Sequence, residues 1–219
     1  MSDTNMNYCD ENSAEQIKHV MDRLTGDISI VAVLEPESEL SEKIRNFLNE
    51  FSEITDRVPV TILEKGENSE VEEKISSSIY PVIALMRADG TFSGVSFNGL
   101  PCGHELESFV LAIYNVAGPG EQIVQSTLDA IKNINKPIDV MIGVNLACVM
   151  CPELVQACQR IAALNENVKA TMIDLQYFPK IRKQYRVMSV PVMIINNEKT
   201  FFGKKNIDEV IELFTNTVV

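Results

Sequence analysis

Cys148 and Cys151 are the residues whose types and spacing most directly offer chemistry in this chain. They sit in Cys148-Val149-Met150-Cys151-Pro152, between an apolar run (residues 138–144) and a stretch with helical periodicity through Leu154, Val155, Cys158, Ile161 and Ala162. Proline lacks an N–H and is tolerated in a helix only in its first turn. The helix is therefore expected to begin close to Cys148, over about 149–164. That places the Cys148 sulfur near unpaired backbone N–H groups and the positive end of the helix dipole, where a thiolate is stabilised and becomes a better nucleophile at neutral pH. Cys151 lies about one turn on, within the separation a disulfide accepts, so the pair can cycle between dithiol and disulfide. A zinc site needs two further ligands, and with no second Cys-x-x-Cys and no histidine pair, no metal is expected.

The elements that must position these thiols emerge from an internal repeat. Pro81 and Pro191 open the apolar runs Pro81-Val82-Ile83-Ala84-Leu85 and Pro191-Val192-Met193-Ile194-Ile195, 110 residues apart. The same offset pairs Val31-Ala32-Val33-Leu34 with Met141-Ile142-Gly143-Val144, and residues 58–63 with 168–173. Ile44 and Leu154, Leu48 and Cys158, and Val71 and Ile181 follow at helical core positions. Each unit reads as helix (about 13–25 in the first, about 121–133 in the second), buried strand, helix, strand, short helix, proline-led strand, hairpin partner and helix. Strand–helix–strand implies a right-handed parallel crossover, and the last two strands an antiparallel hairpin. The fold class is thus α/β: two tandem units, each a mixed four-stranded sheet flanked by helices. Gly118-Pro119-Gly120 breaks the pattern, so the units are expected at 1–117 and 118–219. In the first unit Ser38-Glu39-Leu40-Ser41 replaces the cysteine motif. Serine forms no disulfide, so Ser38 reads as a helix cap.

Composition narrows the classes. A net charge of −12 argues against nucleic acid and anionic membrane surfaces, which want basic patches. Residues 1–8 lack the basic start and apolar core of a signal peptide, and no stretch is long and apolar enough to span a bilayer. The expected compartment is a reducing cytoplasm, where five cysteines point to catalysis or burial rather than a structural disulfide framework. Cys158 reads as core, Cys9 as part of an exposed polar tail, His104 as local structure, and Cys102 has no assigned chemistry.

The helix-initiating Cys-x-x-Cys after a central strand, with Val190-Pro191 opening a later one, resembles the thioredoxin fold. The tandem with an inactive first unit resembles a narrower family, the N-terminal domain of the flavoprotein subunit of bacterial alkyl hydroperoxide reductase. The segments that carry this are Phe97-Asn98-Gly99-Leu100-Pro101-Cys102-Gly103-His104-Glu105-Leu106, Ser108-Phe109-Val110-Leu111-Ala112, Cys148 to Pro152, and Val187-Met188-Ser189-Val190-Pro191. The resemblance implies that Cys148 attacks and Cys151 resolves. It implies that Glu105, from the first unit, is an acid beside the dithiol, and that Pro191 is a cis-proline. A cis bond there would leave the Val190 backbone free for an extended partner, with Val149 and Met150 also on the substrate-binding side. Pro81 would be the structural echo of Pro191.

Further implications follow from the same resemblance. The domain would pass electrons from a flavoprotein disulfide reductase to a peroxiredoxin or another disulfide-bearing protein. The chain has no Gly-x-Gly-x-x-Gly, so FAD and NAD(P)H are expected only on a partner reductase acting in trans, and no bound cofactor is expected beyond the redox-active disulfide. The family usually carries a histidine between the cysteines; Val149-Met150 stand there instead. Two alternatives remain: a general protein-disulfide reductase, and a non-catalytic interaction module of the same fold.

Overall fold

The computed structural model describes residues 8–217. The first unit runs α1 (Glu11–Met21), β1 (Ile28–Leu34), α2 (Glu39–Ile54), β2 (Val60–Glu64), α3 (Ser69–Ile75), β3 (Val82–Arg87), β4 (Phe92–Asn98) and α4 (Glu105–Ala117). The second runs α5 (Gln125–Lys132), β5 (Ile138–Val144), α6 (Cys151–Leu164), β6 (Val168–Asp174), α7 (Pro179–Gln184), β7 (Val192–Ile195), β8 (Lys199–Phe202) and α8 (Ile207–Thr217). The first two strands of each unit pair in parallel, and the proline-led strands β3 and β7 lie antiparallel to β1 and β5. Hairpins β3–β4 and β7–β8 complete two thioredoxin-like folds. Asn196 and Asn197, both at positive φ, supply the tight turn of the second hairpin. Among the described residues no helix is long and apolar enough to cross a membrane.

The repeat does not reveal that the two sheets are one. β4 pairs in parallel with β6, from Val95–Ala170 to Asn98–Ile173, giving the order β2-β1-β3-β4-β6-β5-β7-β8. β6 is the counterpart of β2, which remains a free edge in the first unit. Joining β4 to β6 satisfies two rows of backbone groups that would otherwise be exposed. Gly94 makes the approach possible: its φ is +87°, and a Cβ there would lie 2.5 Å from the Val168 carbonyl oxygen.

This junction encloses α6. The helix lies on the joined sheet with α4 of the first unit packed along it. It is consequently buried well beyond one stripe, with Gln159 and Arg160 buried as well as Leu154, Val155, Cys158 and Ile161. In the first unit Phe109 of α4 meets Phe47, Phe51 and Phe97 edge-on, with ring centroids 5.4, 5.4 and 5.5 Å away. The same helix therefore packs into its own core on one side and onto the helix that follows the cysteine motif on the other.

Three expectations need correction. Helix α6 begins at Cys151, not at 149: residues 149 and 150 form a turn, and the Cys151 amide donates to the Cys148 carbonyl at 3.3 Å. Proline's preference for the first helical positions pulls the start to Pro152's own neighbourhood. The helix expected over 121–133 starts at Gln125, because Glu121 exchanges two 2.9 Å hydrogen bonds with the Asn115 side chain and is held outside it. Cys9 is buried, at 4% exposure. The Glu50 carboxylate accepts from the Tyr8 and Cys9 amides, and Tyr8 packs edge-on against Phe47, so a polar-looking segment is drawn onto the core.

Candidate active site

The loop between β5 and α6 is shaped by Asn145. Its side-chain oxygen accepts from the Ala147 amide at 2.9 Å and its carbonyl from the Cys148 amide at 2.8 Å, a turn that asparagine favours. Cys148 is left half-buried at the start of the next turn, while Cys151, inside the first turn of α6, is fully buried. The two are joined as a disulfide with their Cα atoms 5.5 Å apart, well within the range a disulfide accepts. One sulfur is open to a visitor and the other is screened behind it.

Cys148 borders a cleft of about 600 Å³ lined also by Asn145, Arg182, Met188, Ser189 and Val190. The Val190–Pro191 bond is cis, as is Tyr80–Pro81 at the equivalent place in the first unit. Val190 precedes β7, so its amide and carbonyl lie outside the ladders of the sheet. Val149 and Met150 are exposed beside the disulfide, at 75% and 55%.

Glu105 reaches this neighbourhood from the first unit. The His104 amide donates to the Leu146 carbonyl at 3.3 Å, which ties the start of α4 to the loop carrying Cys148. Gly103 permits the contact, since its φ is +59° and a Cβ would sit 3.0 Å from the same Leu146 oxygen. Glu105, the first residue of α4, is fully buried, with the hydroxyl of the equally buried Ser108 as the polar group that acts on its carboxyl. Burial pushes its carboxyl up to about 7, where it can hold or release a proton under ordinary conditions.

The remaining singled-out residues fall elsewhere. His104 sits at the N-terminal end of α4 without a side-chain capping bond. Cys158 is core, its thiol pushed up by burial and 3.7 Å from the Met193 sulfur. Cys102 is half-buried, its thiol raised by burial and then by the charge of Asp174. Asp174 and Asn145 are two residues that sequence reasoning missed. Asp174 is fully buried at the end of β6, where one carboxyl oxygen accepts from the Gln176 amide at 3.0 Å and the other has no partner among the described residues. An acidic residue ending an apolar run looks like a strand-end turn, so nothing in the chain marks it as buried. Asn145, three residues before the first cysteine, did carry a turn signal.

The first unit keeps the shell of this site without its chemistry. Ser38 caps α2, accepting from the Ser41 amide at 3.3 Å. An equivalent cleft of about 600 Å³ is lined by Ser38, Tyr80 and Pro81, with Tyr177 and Phe178 of the second unit as its wall. The Asn98 amide donates to the carbonyls of Ile79 and Pro81, at 2.7 and 2.8 Å, so this proline loop is bonded internally.

Residues 138–215 match a family model described as a thioredoxin domain. The chain is 33% identical, at a TM-score of 0.91, to a structure of a C503A mutant of the alkyl hydroperoxide reductase AhpF from Enterococcus faecalis, with 95% of this chain and 100% of that one covered. It is 34% identical, at a TM-score of 0.89, to the crystal structure of the NTD_N/C domain of the same Enterococcus faecalis protein, covering 94% and 99%. It is 29% identical over 203 residues to the corresponding alkyl hydroperoxide reductase protein of Staphylococcus aureus, and spans 37% of that relative's length.

Proposed function

This chain belongs to the family of the N-terminal domain of the alkyl hydroperoxide reductase AhpF, and from that premise we propose that it relays electrons, in a reducing cytoplasm, from a flavoprotein disulfide reductase to a peroxiredoxin. At the coarser level it is a thiol–disulfide oxidoreductase. The observation that carries the reading is a disulfide with one accessible sulfur, Cys148, and one buried sulfur, Cys151, in the unit that alone carries the cysteine motif.

In the reduced state the Cys148 thiolate attacks a client disulfide, forming a mixed disulfide and releasing one client thiolate. The Cys151 thiol then loses its proton and attacks Cys148, breaking the mixed disulfide, releasing the second client thiol and leaving the Cys148–Cys151 disulfide. In this reading Glu105 takes that proton, a role supported by a buried carboxyl that sits near neutrality. Val190 supports an extended client segment beside Cys148, Pro191 holds that loop, and Val149 and Met150 border it. FAD and NAD(P)H belong, in this reading, to the reductase that restores the dithiol; no metal takes part.

The test is NADPH consumption in a mixture of the protein, a flavoprotein disulfide reductase and oxidised peroxiredoxin. Consumption that stops when Cys148 is replaced by serine supports the relay. Ready insulin reduction with no electron flow to peroxiredoxin favours a general protein-disulfide reductase instead, a second reading to which the exposed apolar rim of Val149, Met150 and Met188 lends some weight.

A further inference from the structure

Seven methionines fall among the described residues, and their burial divides them sharply. Met21, Met172 and Met193 are fully buried, Met86 is nearly so, and Met141 is half-buried. The two that are exposed, Met150 at 55% and Met188 at 87%, both stand at the disulfide. Met150 lies between the cysteines, and Met188 lines the cleft that Cys148 borders. They come from different elements, one from the start of α6 and one from the loop before β7.

When the disulfide is formed, these thioethers are the exposed nucleophilic sulfurs left in the described chain. Cys148 and Cys151 are then bonded to each other and present no thiolate. Cys9 and Cys158 are buried, and Cys102 is half-buried with its thiol held protonated by burial and by the charge of Asp174. A thioether needs no deprotonation to react with a hydroperoxide, so exposure decides which one does.

We propose that Met150 and Met188 form a hydroperoxide-sensitive modification site, at which sulfoxidation switches off docking of protein disulfides while leaving the Cys148–Cys151 pair chemically intact. In each event one oxygen atom passes from the hydroperoxide to a methionine sulfur. The sulfur loses two electrons, the O–O bond breaks, and the hydroperoxide leaves as its alcohol, or as water when the oxidant is hydrogen peroxide. The product is polar where the thioether was apolar and pliable, which strips the rim of the contacts that a protein segment would bury. A small disulfide needs only Cys148 and is indifferent to the change. The effect on docking rests on the proposed action on protein disulfides; the modification itself does not.

The experiment starts from the disulfide form, treated with hydrogen peroxide and mapped by peptide mass spectrometry. The disulfide is then reduced with dithiothreitol, which spares the sulfoxide, and single-turnover reduction of insulin and of Ellman's reagent is followed. Sulfoxide is expected at Met150 and Met188 before any other described methionine. Insulin reduction is expected to slow by about tenfold, the scale of a lost buried apolar contact, with the rate on Ellman's reagent unchanged. In M150L/M188L the ratio of treated to untreated rates stays at one, whatever that variant's own starting rate. Sulfoxide appearing first elsewhere, equal slowing on both substrates, or slowing that persists in the double variant each overturns the proposal. An untreated protein that reduces Ellman's reagent but not insulin removes the reading on protein clients itself, and the docking effect with it.

Discussion

The His104 amide donates to the Leu146 carbonyl at 3.3 Å, and that bond ties the first unit to the loop that carries Cys148. Helix α4 starts where the loop to Cys148 turns, and its first residue, Glu105, is fully buried rather than displayed on a helix end. A carboxylate in a first turn ordinarily complements the helix dipole from solvent. Here the same residue has lost its water, and the Ser108 hydroxyl beside it does not offset that loss.

Glu105→Gln should therefore make the protein more stable at neutral and alkaline pH. Burial raises the carboxyl from 4.5 to about 7, so between those values the folded state holds a proton that the unfolded state has released. Stability then falls as pH rises through that window and stays lowered above it. Glutamine removes the penalty, which is on the order of 3 kcal/mol for a shift of that size. Urea unfolding at pH below 4.5 should show similar stabilities for the two proteins, and above 7 a higher midpoint for the variant. Release of insulin from the mixed disulfide should slow in the same variant and lose its pH dependence near neutrality. A variant no more stable than the wild type above pH 7 would contradict the buried carboxyl.

Gly103→Ala tests the contact that brings Glu105 into place. Alanine must adopt a φ of +59° and put a methyl carbon 3.0 Å from the Leu146 oxygen. The backbone strain alone is about 1–2 kcal/mol. Relieving the crowding pushes α4 away from the cysteine loop and costs the His104–Leu146 bond. Chemical denaturation should show the loss of stability, and the rate of Ellman's reagent reduction should fall without any cysteine having been touched.

What the chain announces of all this follows local chemistry. The cysteine pair, the proline-led strands, Ser38 as a cap and the buried Cys158 are legible because each depends on its own sequence neighbours. The β4–β6 pairing is not, because strands carry no label for their partner, and β6 reads like its edge-strand counterpart β2. The burial of Cys9 is hidden for a related reason. Asp10 and Glu11 beside it read as solvent-facing, while the Glu50 carboxylate and the Phe47 ring that fix the segment lie some forty residues away. Met188 gave no signal either, since an apolar residue before a strand usually enters the core.

The unequal exposure of the two active-site sulfurs predicts unequal behaviour of their serine variants. Cys151→Ser keeps the half-buried Cys148 thiol and loses the thiol that completes the reaction. Incubated with insulin, it should accumulate a covalent adduct visible by non-reducing electrophoresis and released by dithiothreitol. Cys148→Ser leaves only the fully buried Cys151 and should form no adduct over the same period. Adducts of equal yield from both variants would show that Cys151 is reachable and would reverse the assigned roles.

Arg160 holds the passage between the units against α6, and its loss should be read there. The guanidinium is buried to 8% exposure, donating to the Asn115 carbonyl at 3.4 Å and to the Glu121 carbonyl at 2.5 Å. Gly120 lies close enough that a Cβ on it would meet the same group at 2.5 Å. Arg160→Ala strips both carbonyls of a charged donor and leaves a void beneath the segment, at a cost of about 2–3 kcal/mol. The Cys148 loop lies at the other end of the helix, so the exchange rate with Ellman's reagent should change little under conditions where the variant stays folded. Limited proteolysis should instead open a new cut between residues 115 and 121, where the wild-type chain resists. If that segment stays protected while the exchange rate collapses, Arg160 acts on the thiols and not on the join.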